Sequence, residues 1–325
     1  MSYIPYTQDG TPRAVAVVGP TASGKTDFAL SLAEAYGGEI VGCDSMQIYL
    51  EMDIGTAKPT PEERARAPHH MIDFLPPNVA YSAADYADAA GKVIGEIAAR
   101  GRLPILCGGT GLYLEAVRSG RHEGLPPTPD GLRERLVAEA ERDGAEAMHR
   151  RLAEVDAPSA AAIHPNNLRR TLRALEIFYA TGRPKSAWDE ESRLRPPALD
   201  ILVLGLFPTD RRALHARIDR RVDRMMEMGL GREVRSLYER GLLAEGTTAG
   251  AAIGYKEYAA AIRGECTEAE AAEAIKVATH RYARRQLTWF RAIPGIVALP
   301  CGECGVTPEG VAEARAQIDA FLANR

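Results

Sequence analysis

Ala14-Val15-Ala16-Val17-Val18-Gly19-Pro20-Thr21-Ala22-Ser23-Gly24-Lys25-Thr26 decides the architecture of this chain. Its opening run is wholly apolar, the pattern of a strand buried on both faces of a parallel sheet. The remainder fills the G-x-x-x-x-G-K-[ST] spacing in full, and a helical pattern follows from Thr26 to about Tyr36. A strand–loop–helix turn of this kind aims the loop N–H groups and a helix N-terminus at one point, which makes a concave anion site. Gly19, Pro20, Thr21, Ala22, Ser23, Gly24, Lys25 and Thr26 are therefore read as a phosphate cradle. Lys25 would bridge phosphate oxygens as a point charge. The Thr26 hydroxyl would hold a Mg2+ ion that shields them. The loop announces a phosphate ligand without saying which one.

Working outward, Glu39–Gly42 reads as a second strand, Ala83–Arg100 as an alanine-rich helix, and Leu103–Cys107 as a third strand ended by Gly108-Gly109. Strands and helices in alternation indicate a parallel sheet with right-handed crossovers. The texture changes at Gly124, Pro126, Pro127 and Pro129, where breakers cluster. Asp130 to about Trp188 is helical throughout, Pro196-Pro197 breaks it, and Asp200–Phe207 returns as a strand. The expected fold class is α/β: a P-loop NTPase-like parallel sheet flanked by helices, with an all-helical insertion domain. The core would take residues 11–119 and 199–300, the insertion 120–198, and a C-terminal tail or helix 301–325.

The 325 residues are 46% apolar and 26% charged, ordinary for a globular protein, with a formal net charge of −4. Bulk charge does not announce a nucleic-acid partner, so such a role must rest on local basic patches. The stretch Met1–Pro12 is polar, and the longest apolar runs, Ala14–Gly19 and Ile201–Phe207, are too short to span a bilayer. No membrane role, a cytoplasmic location and a monomeric state are the expectations. Cys301 and Cys304 have a C-x-x-C spacing, yet with no second pair nearby a zinc or redox role is disfavoured. His69 and His70 are adjacent and point apart, a poor metal pair. Met225, Met226 and Met228 read as core filler.

An ordinary phosphoryl-transfer site needs a carboxylate at the end of a second strand. Leu103–Cys107 runs instead into Gly108-Gly109-Thr110-Gly111. The strand-end carboxylate is Asp44, in Glu39-Ile40-Val41-Gly42-Cys43-Asp44, placed for general-base work at the carboxyl edge of the sheet. A plain N-cap is the alternative for Asp44, and likewise for Thr110 before the helical run Leu112–Val117.

These residues together resemble the tRNA dimethylallyltransferase (tRNA isopentenyltransferase) family. The likeness is carried by Gly19–Thr26, Asp44–Tyr49, Met52–Pro59, Gly108–Tyr113 and Arg285–Arg291. Between these lie Pro68–Asp73, Tyr81–Tyr86, His164–Asn166 and Arg173–Phe178, all in order across residues 13–298. The resemblance implies that the loop holds the diphosphate of dimethylallyl diphosphate with Mg2+. It implies as acceptor the exocyclic amine of the adenosine 3′ of the anticodon, flipped out of its stack. Asp44 would take the amine proton, with Thr110 and Lys25 as the other catalytic groups, and Arg217 and Arg221 would form a second diphosphate clamp. The tRNA anticodon stem-loop would meet Asp44, Ser45, Met46, Gln47 and Thr110 around the target base. Further contacts implied by the family are Arg133, Arg169, Arg170, Thr171, Leu172, Arg173, Gly254, Tyr255 and Lys256. The last group is Arg281, Arg284, Arg285, Gln286 and Thr288, with Trp289 and Phe290 on the core side of that helix. Each arginine patch, read without the family, is equally a solvated helix face. Two rival readings remain: an ATP-dependent small-molecule kinase, and a non-catalytic RNA-binding P-loop protein.

Overall fold

The central strand forms where the apolar run predicts it. In this computed structural model, which describes residues 6–119, 129–194, 199–244, 246–303 and 305–323, all of β1 (Arg13–Val18) is buried. Gly124, Pro126, Pro127, Pro196, Pro197 and Cys304 lie outside those residues. The chain continues as α1 (Lys25–Tyr36), β2 (Gly38–Gly42), α2 (Pro61–Arg66), β3 (His69–His70), α3 (Ala83–Ala99), β4 (Leu103–Gly108) and α4 (Gly111–Ser119). Five helices follow: α5 (Leu132–Asp143), α6 (Ala145–Val155), α7 (Ala157–Ala162), α8 (Leu168–Thr181) and α9 (Lys185–Leu194). Then come β5 (Asp200–Pro208), α10 (Arg211–Met228), α11 (Leu230–Glu239), α12 (Tyr255–Ile262), α13 (Glu268–Arg291), β6 (Val297–Gly302), β7 (Gly305–Val306) and α14 (Pro308–Ala323).

The strands make one sheet in the order β3-β2-β4-β1-β5-β6-β7, parallel except for the last pair. Side chains alternate across it with period two. Val15, Val17, Ile40 and Ile105 face α1 and α14, whereas Ala16, Val18, Val41 and Leu106 face α3 and α4. Two covered faces explain the near-continuous apolar strands.

The chain divides into two compact units. Residues 1–118 and 198–325 form the first, and 119–197 the second. Helices are the only regular elements among the second unit's described residues, packed around Leu136, Leu152 and Leu175. The segment 301–325, expected as a C-terminal tail or helix, falls within the first unit and carries a helix. β6 pairs with β5, β7 folds back antiparallel on β6, and α14 sends Ala314 and Ile318 into the first unit's core. An uncovered sheet edge would expose unpaired backbone, and this segment covers it.

Gly108 shows how tightly the sheet closes at its functional end. A Cβ there would stand 1.9 Å from the Cys43 carbonyl oxygen. Backbone cannot yield as a flexible side chain can, so Gly108→Ala is expected to cost about 3 kcal/mol or more. Differential scanning calorimetry should show Tm lower by roughly 6–12 °C, and an unchanged Tm would contradict the close approach.

Candidate active site

Three neighbouring strands, β2, β4 and β1, end at the same edge of the sheet. In parallel sheets that edge is where ligands bind. From β1 the chain enters the phosphate loop; Gly24 takes φ of 87° just before α1, a left-handed conformation suited to glycine. Beyond β2 and β4 the ladder continues: Cys43 N–H donates to Cys107 O at 2.9 Å, and Thr110 N–H to Cys43 O at 3.2 Å. Asp44 and Thr110 are thereby drawn side by side. The Thr110 hydroxyl accepts from Ser45 N–H at 2.9 Å and donates to Ser45 Oγ at 3.3 Å, so it holds the Asp44 segment instead of capping α4. Asp44 Oδ1 accepts from Met46 N–H at 2.9 Å, a local turn bond that fixes its orientation.

The carboxylate of Asp44 acts electrostatically on Lys25, Arg221 and Tyr282. Burial lowers the pKa of Lys25 below its ordinary value; the nearby Arg221 pushes the same way, and Asp44 opposes both. Burial likewise lowers Arg221, again against Asp44. Desolvated cations facing a cleft are strong attractors for an anion. That cleft, about 950 Å³, is lined by Lys25 and Thr26 on one side and by Arg217, Arg220, Arg221 and Arg224 of α10 on the other. Arg217 is also tied to the Gly302 carbonyl at 3.2 Å. Within the loop, the buried Ser23 hydroxyl has no hydrogen-bond partner.

Several residues expected to meet RNA have buried side chains or backbone. Gln286 is buried: its Oε1 accepts from Thr21 N–H at 2.9 Å and its Nε2 donates to Gly109 O at 2.8 Å, bridging the phosphate loop and the β4 loop. Tyr255 is buried too, its hydroxyl donating to Glu233 at 2.6 Å, and Gly254 is buried at the start of α12 with φ of 95°. Thr171 and Leu172 sit on the core side of α8. The helical pitch that exposes Arg169, Arg170 and Arg173 turns these two inward. Arg133 and Arg173 both reach the buried carboxylate of Glu176, at 3.8 and 3.1 Å. Lys256, Arg281, Arg284, Arg285 and Thr288 are exposed. Ser45, Met46 and Gln47 are half-buried, and Gln47 Nε2 donates to Thr56 O and Ala57 O at 3.2 and 3.1 Å. Two packing assignments change. Trp289 is 39% exposed although Phe290 beside it is buried, and Met228 is 56% exposed at the cleft rim while Met225 is core.

Sequence reasoning missed Tyr282, whose hydroxyl reaches Thr110 and Gln286. Its place one turn before Arg285 and Gln286 was the available signal. It also missed Arg220, three residues from Arg217 on the arginine-rich helix, and Glu233, for which no local signal exists. Glu233 accepts from the N–H groups of Asp53, Ile54 and Gly55 at 3.0, 2.7 and 3.1 Å, besides Tyr255. This carboxylate fixes the loop that forms the far wall of the cleft. Glu233→Ala strands those donors, and a loss of about 2–3 kcal/mol is expected. Thermal denaturation should register it as Tm lower by roughly 4–12 °C; no change would mean the loop holds itself.

His70 Nε2 contacts Glu39 at 2.7 Å and His69 Nδ1 the Ala67 carbonyl at 2.8 Å, so each ring has its own partner. Among the described residues no helix is long and apolar enough to cross a membrane.

The ordered motifs have counterparts in known proteins. The IPP transferase family model matches residues 47–293, and an isopentenyl transferase model matches residues 12–72. A tRNA dimethylallyltransferase of Geobacter sulfurreducens is 48% identical over 287 residues, 87% of this chain and 90% of that protein. Another, of Shouchella clausii, is 45% identical over 311 residues, covering 96% and 97%. The crystal structure of a tRNA isopentenylpyrophosphate transferase from Bacillus halodurans superposes with a TM-score of 0.70 at 41% identity, over 95% of this chain and 96% of that one. A eukaryotic dimethylallyltransferase acting on tRNA gives a TM-score of 0.81 at 28% identity, over 96% and 80%. A P-loop α/β core with the strand-end Asp44 and Thr110, matched this extensively, places the chain in the IPP transferase family.

Proposed function

We propose that this protein transfers the dimethylallyl group of dimethylallyl diphosphate to the exocyclic amine of the adenosine 3′-adjacent to the anticodon in tRNA, releasing diphosphate. The carrying observation is the meeting of Asp44, oriented by Met46 N–H on a segment that Thr110 ties through Ser45, with the desolvated cations of the phosphate cleft. A carboxylate beside a polyanion site, with no strand-end carboxylate on β4, suits alkyl transfer to an amine better than phosphoryl transfer from ATP.

The amine lone pair is delocalised into the purine ring, so the nucleophile and the leaving group both need help. The amine nitrogen attacks C1 of the dimethylallyl group, the C1–O bond breaks, and the electron pair leaves with the diphosphate. Lys25, the loop amides of Gly19–Thr26, Arg217 and Arg221 stabilise the charge on that leaving group, the electrostatic contribution that is usually largest. Asp44 hydrogen-bonds the amine and takes its proton as the C–N bond forms. Thr110 steadies the Asp44 segment by accepting from Ser45 N–H. The adenosine reaches Asp44 only when unstacked, which costs roughly a few kcal/mol.

Mg2+ fits this donor set. Among the described residues no three acidic, histidine or cysteine groups cluster to hold a metal, so those residues offer no cage of their own. The half-buried Thr26 hydroxyl lies beside Lys25 at the cleft, a hard oxygen of the kind Mg2+ takes when phosphate oxygens and waters supply the rest. Bound there, the ion would neutralise diphosphate charge. Arg133, Arg169, Arg170, Arg173, Lys256, Arg281, Arg284, Arg285 and Thr288 are the exposed groups that would meet tRNA, together with Ser45, Met46 and Gln47 around the target base.

The test is incubation with Mg2+, labelled dimethylallyl diphosphate and an unmodified tRNA carrying adenosine at that position, followed by nucleoside analysis. Label on the exocyclic amine is the expected result. Phosphate transfer or hydrolysis from ATP, with no label from the prenyl donor, would replace this reading with the kinase.

A further inference from the structure

Helix α13 turns one large aromatic side chain outward at its basic end. Trp289 is 39% exposed, and Leu112, close by in sequence to Thr110, is 48% exposed. The inner edge of the indole is nonetheless packed. A Cβ on Gly111 would stand 2.4 Å from Trp289 Cδ1 and 2.5 Å from Nε1, so the ring lies against the backbone one residue from Thr110. An indole pinned on one edge and partly open to solvent is a rigid surface with little conformational freedom to lose.

Its surroundings select a partner. Arg281, Arg284 and Arg285 are exposed on the same helix, and Trp289 falls one turn beyond Arg285. The chain has no acidic residue between Glu273 and Glu303, although its net charge is −4. Guanidinium groups beside an exposed aromatic ring match a ligand that is both anionic and flat-faced. Unpaired nucleotides have both properties, and RNA loops are recognised by stacking their bases on such side chains.

We propose that Trp289 is a stacking platform for an unpaired base of the tRNA anticodon loop adjoining the modified adenosine. This rests on the proposed reaction, and it deepens that reading by naming what holds the loop open beside the target. Arg281, Arg284 and Arg285 set the loop backbone through its phosphates. The indole takes up the base face left uncovered when the adenosine leaves the stack.

Trp188 is the other tryptophan of the chain, so Trp188→Phe leaves Trp289 as the sole indole emitter. Titrating that full-length protein with an unmodified anticodon stem-loop RNA should quench its emission saturably. A duplex of the stem alone, or Mg2+ with inorganic diphosphate, should not. In transfer assays Trp289→Ala should raise the KM for tRNA about 10- to 100-fold, as expected for one stacked base. Its kcat and its KM for the prenyl donor should stay near those of the parent, and Trp289→Phe should recover most of the loss. The platform is overturned if stem-loop RNA binds without quenching, or if Trp289→Ala leaves the tRNA KM unchanged. Quenching without any prenyl transfer by the parent protein would reject the reaction and leave the platform standing. Transfer with an unperturbed Trp289 would reject the platform alone.

Discussion

Asp44→Asn is expected to lower kcat about 10²- to 10⁴-fold, the range spanned by general-base catalysis, while tRNA affinity stays within a few fold. The substitution keeps the side-chain shape and one acceptor oxygen, so the bond from Met46 N–H that orients residue 44 can persist. What disappears is the negative charge and the capacity to take a proton. Single-turnover transfer with saturating tRNA, alongside filter-binding affinity, separates the two quantities. A kcat within fivefold of the parent would remove Asp44 from the role of base. Lost affinity with full turnover would make it a binding group.

Lys25→Met is expected to lower kcat/KM for the prenyl donor about 10²- to 10³-fold, as removal of one preorganised charge does elsewhere. It should leave the free protein as stable as the parent, or slightly more so. The sign follows from burial, which lowers the folded-state pKa of Lys25 below its unfolded value. A lysine depressed in this way destabilises the fold while it is charged in both states. The penalty is fully present at neutral pH if the folded pKa stays above it, and fades as pH rises through the folded pKa. Diphosphate binding reverses the balance by giving the cation its partner. Inorganic diphosphate with Mg2+ at about a hundred times Kd should therefore stabilise the parent by about 2.7 kcal/mol. For a protein of this size that is a Tm rise of roughly 5–10 °C, which Lys25→Met should lose. A rise that survives the substitution would place the diphosphate elsewhere.

Much of the core was legible because its signals are local. A buried parallel strand, the spacing of Gly19–Thr26 and the strand ends before Asp44 and Thr110 depend on neighbours in sequence alone. What a motif match leaves open has one cause: the match names a segment, whereas exposure is decided residue by residue. Thr171 and Leu172 lie between outward arginines on α8, yet the helix turns them into its own core. Gln286 and Tyr255 stand in segments of RNA-binding type, and their partners, Thr21, Gly109 and Glu233, are distant in sequence. Glu233 itself acts on Asp53, Ile54 and Gly55 across a gap that no periodicity spans. Residues 301–325 read as a tail or helix apart from the core because the contacts that seat them, β6 on β5 and Ala314 and Ile318 of α14 in the core, are made with residues distant in sequence.

The buried amide of Gln286 has a consequence for how this protein can vary. It fixes the rotational setting of α13 against two loops at once, and the exposed arginines and Trp289 hang on that setting. A residue inserted between Arg281 and Gln286 would leave the amide seated but swing the preceding surface by about 100°. Substitutions on the outer face of α13 change chemistry one side chain at a time, whereas a change of length there rotates a whole row out of register. Homologous enzymes should therefore hold the residue count of this helix constant even where its solvent-facing residues differ.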